Sequence, residues 1–295
     1  MIPIPEQYLN CSVYIYKTKA HAKAGELSGG SGFLVGVPLT ENKEWIQVYA
    51  VTAKHVIENM PNPVLRLNLV AGVFDCIETN QKRWSGIENS YGDDLATLPL
   101  ELEPENFRFS FVKIEDFISQ AATAAIFPGD EIFMVGRFFS HEGKQQNTPS
   151  VRFGNISMMP LEPITNKYGH LQETFLVEQR SLPGYSGSPV FLFIDPTLPR
   201  PPMFLMPAMP AYRRNQHGPF LLGVDWLHLH SHEPLLEENK ATGGEKEVSP
   251  KRWIKAHTGM AGVIPAWRLA ALLNTEELVM QRKKDDDRIT QTVKG

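Results

Sequence analysis

From Cys11 to Leu100 the chain alternates short apolar runs with polar, glycine and proline breaks. The runs are CSVYIY (11–16), GFLVGVPL (32–39), WIQVYAVTA (45–53), VLRLNLV (64–70) and LATLPL (95–100). β-Branched, aromatic and other apolar residues fill them, and Gly, Pro, Asn and Asp punctuate them, so each is predicted as a strand. A second series follows: EIFMVGRF (131–138), SVRFGNISMM (150–159), TFLVEQ (174–179), PVFLFI (189–194) and PFLLGVDWLHLH (219–230). Strands at this spacing, with no helical pattern between them, predict an all-β sandwich or barrel. The interval 101–117, ELEPENFRFSFVKIEDF, divides them into two β units in tandem, with no repeat relating the two.

The C-terminal part has a different period. PAWRLAALLNTEELVMQRKK (265–284) opens on proline, and Leu269, Leu272, Leu273, Val279 and Met280 recur at helical spacing. This predicts a terminal amphipathic helix docked by its apolar face, with KKDDDRITQTVKG as a frayed tail. Two polar or proline-rich stretches, 195–218 and 231–259, read as long loops, a length that usually marks function or disorder.

Composition narrows the function classes. The 295 residues are 42% hydrophobic and 21% charged with a formal net charge of −4, ordinary for a soluble globular chain. A duplex-binding surface would show a clustered basic excess, so no nucleic-acid partner is expected. No apolar run is long enough to span a bilayer, and the N-terminal segment lacks the pattern of a secretory leader. Neither a membrane nor export is therefore expected. Two cysteines, Cys11 and Cys76, fit a reducing, cytoplasmic setting.

PGYSGSP (183–189) is the first candidate for chemistry. A serine hydroxyl is a weak nucleophile and needs an adjacent base and donors aimed at the developing oxyanion. Glycine at 184 lets a backbone N–H turn inward without a clashing side chain. The Gly184 and Ser186 N–H groups are therefore the candidate oxyanion hole. The alternative is a tight turn before the strand PVFLFI. His55 ends the apolar run YAVTAKHVI (49–57), where a rigid base would sit, although a histidine there is also commonly structural. Asp94 precedes LATLPL; it either begins the strand or fixes the tautomer of His55.

Together these stretches say more than each alone. GSGFLVG (30–36), VTAKH (51–55), DLATL (94–98) and GYSGSP (184–189) resemble the signature blocks of the trypsin/chymotrypsin-fold serine peptidases. The HtrA-like and glutamyl-endopeptidase-like bacterial branch is the nearest in flavour. GMAGVIPAWRLAALL (259–273) resembles the final strand and helix of that branch. The resemblance implies two six-stranded β-barrels followed by a C-terminal helix. Residues 1–110 would carry His55 and Asp94, 111–264 would carry Ser186, and 265–295 would be helix and tail. It covers a catalytic unit, with no PDZ-like segment expected.

It also implies roles. His55 would take the Ser186 proton and Asp94 would orient His55. The substrate pocket would be walled by Arg180, Ser181, Val224, Asp225 and Trp226. Arg180 could select an acidic side chain through charge-assisted bonds, or pair with Asp225, or point outward. Asp225 stands where related enzymes carry a serine supporting the catalytic aspartate. A second carboxylate near Asp94 would make one of the two titrate high, unless the alignment slips by one residue. Tyr185 replaces the aspartate that pairs with a new N-terminus in digestive enzymes, so no zymogen cleavage is expected.

HLHSH would place His228, His230 and His232 on one strand face, either as zinc ligands or as polar edge residues. No metal and no cofactor are expected. Met203, Met206 and Met209 read as loop packing or a hydrophobic contact. The expected activity is that of a serine endopeptidase of restricted specificity, acting on a protein or peptide substrate, with a viral-type processing peptidase as one version. The alternative is a catalytically silent binding module using the two long loops. Those loops are also the expected seat of any regulatory protein partner.

Overall fold

A computed structural model describes residues 3–25, 29–86, 93–138, 143–165, 171–179, 184–194, 219–234, 236–238, 245–247 and 253–294. The loop predicted at 195–218 lies outside the described residues, as do Arg180 and Ser181.

Both strand series form sheets. In the first, β1 (Ser12–Tyr16), β2 (Gly30–Pro38), β3 (Ile46–Thr52), β4 (Val64–Asn68), β5 (Phe74–Glu78) and β6 (Ala96–Leu100) lie in the order β5-β4-β1-β2-β3-β6. A short β7 (Val112–Lys113) adds to β2 in parallel, so the interval between the two units contributes to the first sheet. The second sheet closes. Strands β8 (Glu131–Gly136), β9 (Ser150–Met158), β12 (Phe175–Glu178), β13 (Pro189–Leu192), β14 (Phe220–Pro234) and β17 (Trp253–Pro265) form a barrel in the order β12-β17-β14-β13-β8-β9. The small pairs β10 (Ile164–Thr165) with β11 (Leu171–Gln172), and β15 (Leu236–Glu238) with β16 (Glu245–Glu247), stand outside it. This is the two-barrel, chymotrypsin-like architecture with a helical C-terminus.

One apolar core joins the two units. Phe33, Tyr49, Val51 and Leu98 of the first pack in the same cluster as Phe133, Phe191, Leu221 and Ile264 of the second. Tyr8, ahead of β1, lies edge-on to Phe191 at a 5.0 Å centroid separation. This shared packing fixes the two sheets relative to each other.

Three elements differ from the sequence expectation. β5 buries only Cys76 fully, so its FDCIE pattern carries no apolar alternation. The stretch 231–259 is in part a β-ribbon: β14 and β17 continue pairing out to Pro234 opposite Trp253. The C-terminal helix is two helices. α4 (Ala266–Leu273) buries Leu269, Leu272 and Leu273, and the chain breaks at Asn274 before α5 (Glu276–Lys294) restarts the register. Val279 and Met280 are consequently exposed, and the supposed tail is helix. α5 turns Leu278, Arg282 and Asp286 inward, an i, i+4 stripe that is mostly polar. Arg282 donates to the Tyr49 phenol and the Leu273 carbonyl at 3.0 and 2.7 Å. Asp286 accepts from the Glu41 and Asn42 backbone N–H groups at 2.8 and 3.1 Å.

Cys11 and Cys76 are both buried free thiols, and burial pushes Cys11 up to about 12. Among the described residues no helix is long and apolar enough to cross a membrane.

Candidate active site

The β3–β6 ladder builds the first half of the site. Its antiparallel register places Thr52 opposite Ala96. Extending both strands by a few residues brings the segment after β3 against the segment before β6. There a single helical turn, α3 (Lys54–Ile57), carries His55. The Asp94 carbonyl accepts from Lys54 N at 3.1 Å. The Asp94 carboxylate accepts from the His55 backbone N–H at 2.7 Å and meets His55 Nδ1 at 2.5 Å. Two bonds to one carboxylate fix both the turn and the ring. A carboxylate accepts only, so Nδ1 carries a proton, and in the neutral ring Nε2 is left with its lone pair.

Asp94 is itself held by residues that the motif reading missed. Gln172, wholly buried at the end of β11, accepts from Asp94 N at 3.1 Å and donates to Asp93 Oδ1 at 2.9 Å. Arg268 of α4 pairs with Asp93 at 2.8 Å. Neighbouring Asp93 thus ties the catalytic-type loop to the second unit and to the C-terminal helix. A glutamine in a short polar strand and an arginine on a helix carry no sequence signal for such a role.

The serine turn builds the second half. Gly184 takes φ +105° and Gly187 φ +87°, conformations that favour glycine. Ser188 N donates to Tyr185 O at 2.8 Å, closing the turn. Tyr185 is fully buried, and its phenol bonds to Ser150 Oγ and accepts from Arg152 Nε at 3.1 Å. A buried phenol therefore anchors the turn. The turn also docks on the first sheet. Ser31 N donates to the Ser186 carbonyl at 3.0 Å, and Ser31 Oγ donates to the Gly184 carbonyl at 2.7 Å. Among the described residues neither Gly184 N–H nor Ser186 N–H donates to a protein acceptor.

His55, Asp94 and Ser186 thus lie along one seam, with the Ser186–Gly187 backbone against Gly30, Thr52 and Ala53. The serine side chain departs from the expected arrangement. Its hydroxyl lies 3.4 Å from His228 Nε2, and no hydrogen bond joins it to His55.

The expected pocket residues scatter. Val224 is wholly buried in the core opposite Ile264, so its side chain serves packing. Trp226 donates its indole N–H to Thr174 Oγ1 at 2.7 Å. Asp225 is wholly buried, and burial alone pushes its carboxyl well above the usual range. Of the two carboxylates of which one is expected to titrate high, Asp225 is the one raised, and the cause is desolvation rather than a like charge on Asp94. Of the three histidines of HLHSH, His228 reaches the site, and the side chains of His230 and His232 lie outside the described residues. No metal-binding cluster is present among the described residues.

No family model and no curated protein matches the chain. Among solved structures it is similar to the MamO protease domain from Magnetospirillum magneticum, at 14% identity and TM-score 0.48 over 90% of this chain and 96% of that one. It is similar to Deg5 at 17% identity and TM-score 0.44, over 75% and 81%. A third similar structure is AlgW, described as an HtrA-type protease and solved with a tripeptide, at 14% identity and TM-score 0.47 over 92% and 62%.

Proposed function

We propose that the chain is a serine endopeptidase in which Ser186 is the nucleophile, His55 the general base and Asp94 the group that orients it. The observation that carries this reading is the pair of hydrogen bonds from the backbone and ring of His55 to Asp94, beside a glycine-flanked serine whose Gly184 and Ser186 N–H groups donate to no protein acceptor among the described residues. With Nδ1–H donated to Asp94, Nε2 of His55 is the free base. The Ser186 hydroxyl gives its proton to Nε2 as Oγ bonds the substrate carbonyl carbon. The carbonyl oxygen, now an anion, takes hydrogen bonds from Gly184 N and Ser186 N. His55 then protonates the leaving amine, and water repeats the sequence to release the acid from Oγ. Losing one oxyanion donor would cost about 10²–10³ in rate.

The anchoring of Tyr185 within the second barrel favours a turn that is set without cleavage of an N-terminus. The two buried free thiols favour a reducing, cytoplasmic setting. The substrate is a protein or peptide.

A second reading is favoured by the Ser186 hydroxyl facing His228 and not His55. On that reading the fold is a binding module without turnover. Labelling with a fluorophosphonate probe, beside Ser186→Ala and His55→Ala, separates the two. Labelling of the unaltered chain alone supports the peptidase; no labelling of any chain supports the module.

A further inference from the structure

Strand β14 brings a second histidine to Ser186 that the triad does not use. His228 Nε2 lies 3.4 Å from Ser186 Oγ and 3.8 Å from Asp225 Oδ2. In a regular strand, residues three apart point to opposite faces. Here the β14–β17 register slips between Asp225 and Leu227. Such a bulge adds one residue and re-aims the side chains beyond it. The bulge is fixed by Trp226, whose indole is bonded to Thr174 and passes over Gly262; a Cβ there would come within 2.9 Å of the indole nitrogen. The consequence is that Asp225 and His228 face the same side, toward the serine turn.

The Asp225 carboxyl approaches the same nitrogen at 3.8 Å, too far for a hydrogen bond. The Ser186 hydroxyl, at 3.4 Å, is the nearer group to His228 Nε2. An imidazole in that place can engage the hydroxyl and set its orientation.

We infer that His228 is a positioning residue of the reaction centre: it holds the Ser186 hydroxyl away from His55 in the resting protein, and attack requires rotation of Oγ from one imidazole to the other. This rests on the reading of Ser186 as nucleophile only for its effect on rate; the contact itself can be tested without turnover.

The test uses the full chain carrying ¹⁵N-histidine, with imidazole resonances assigned from His55→Gln and His228→Gln spectra. Replacing Ser186 by alanine is expected to move the His228 Nε2 resonance more than that of His55. A shift confined to His55, or none at His228, overturns the inference. In parallel, His228→Ala is expected to label with the fluorophosphonate roughly threefold to tenfold faster than the unaltered chain, the effect of releasing one ordinary neutral hydrogen bond. His228→Leu, which keeps apolar bulk in the site, is expected to do the same; unchanged or slower labelling of both folded variants overturns the inference. If no chain labels while His228 answers to Ser186→Ala, the contact stands and the peptidase reading falls.

Discussion

Gly187 offers the sharpest test of how the two barrels hold the site. It takes φ +87°, and a Cβ built on it would lie 2.2 Å from the Ser31 carbonyl oxygen, 2.3 Å from Thr52 Oγ1 and 3.0 Å from Ala53 N. Ordinary contact begins at 3.4 Å, so something must move by about 1 Å. Neither oxygen yields cheaply, because Thr52 Oγ1 donates to that same Ser31 carbonyl at 2.7 Å. In Gly187→Ala the left-handed backbone costs about 1–2 kcal/mol and overpacking about 1–3. The sum, about 2–5 kcal/mol, corresponds to a fall of roughly 5–15 °C in Tm for a chain of this size. No candidate catalytic group is removed, yet a displacement of about 1 Å at the nucleophile is expected to slow fluorophosphonate labelling about 10²-fold. Differential scanning fluorimetry and labelling kinetics on the same preparation measure both. A Gly187→Ala chain that melts within a degree of the original and labels at its rate would refute the docking argument.

Other changes probe the site and its supports. In Asp94→Asn one of the two donors from His55 must face an amide NH₂; if it is the ring, Nδ1 becomes an acceptor and Nε2 carries the proton, so labelling should fall by about 10⁴, and labelling at the original rate would remove Asp94 from the mechanism. Gln172→Leu leaves Asp94 N–H without its partner, a cost of about 1–3 kcal/mol. Peptide hydrolysis should show a larger fall in kcat than rise in KM, whereas a change in KM alone would count against a positioning role. Asp286 titrates below its ordinary value, first because Glu41 N–H bonds the charged form and then because Asn42 does. Its contribution to stability is full above the ordinary carboxylate pKa and is lost as pH falls through the lower folded value. Asp286→Asn should therefore lower the urea midpoint near neutrality and flatten its decline below about pH 4; an acid limb parallel to that of the original chain would refute the linkage.

Short apolar runs bounded by polar breaks made most of the fold readable before any coordinates, because strands such as GFLVGVPL and EIFMVGRF are buried along nearly their whole length. That pattern failed where the structural reason is polar. β5 is a thinly buried edge, β14 and β17 go on pairing through a stretch without a strand-like apolar run, and α5 docks through Arg282 and Asp286. The same division runs through the site. His55, Asp94 and Ser186 each stand beside an apolar strand with a recognisable neighbour, so their positions could be named. Gln172 acts from a two-residue strand whose partner is distant in sequence. His228 points inward only because one bulge shifts the parity of β14, and no pattern of residue types announces a bulge.

The ties on Asp93 and Asp94 bear on when the protein can act during its own synthesis. His55, Asp94 and Ser186 all leave the ribosome before β17, which the second barrel needs to close, and before Arg268, which grips Asp93. The clasp of Asp286 on Glu41 and Asn42 comes later still. A growing chain thus possesses every reactive group well before it possesses the framework that aligns them. On the peptidase reading, alignment of the catalytic groups waits until β17, α4 and α5 have been made, so the order of synthesis delays activity.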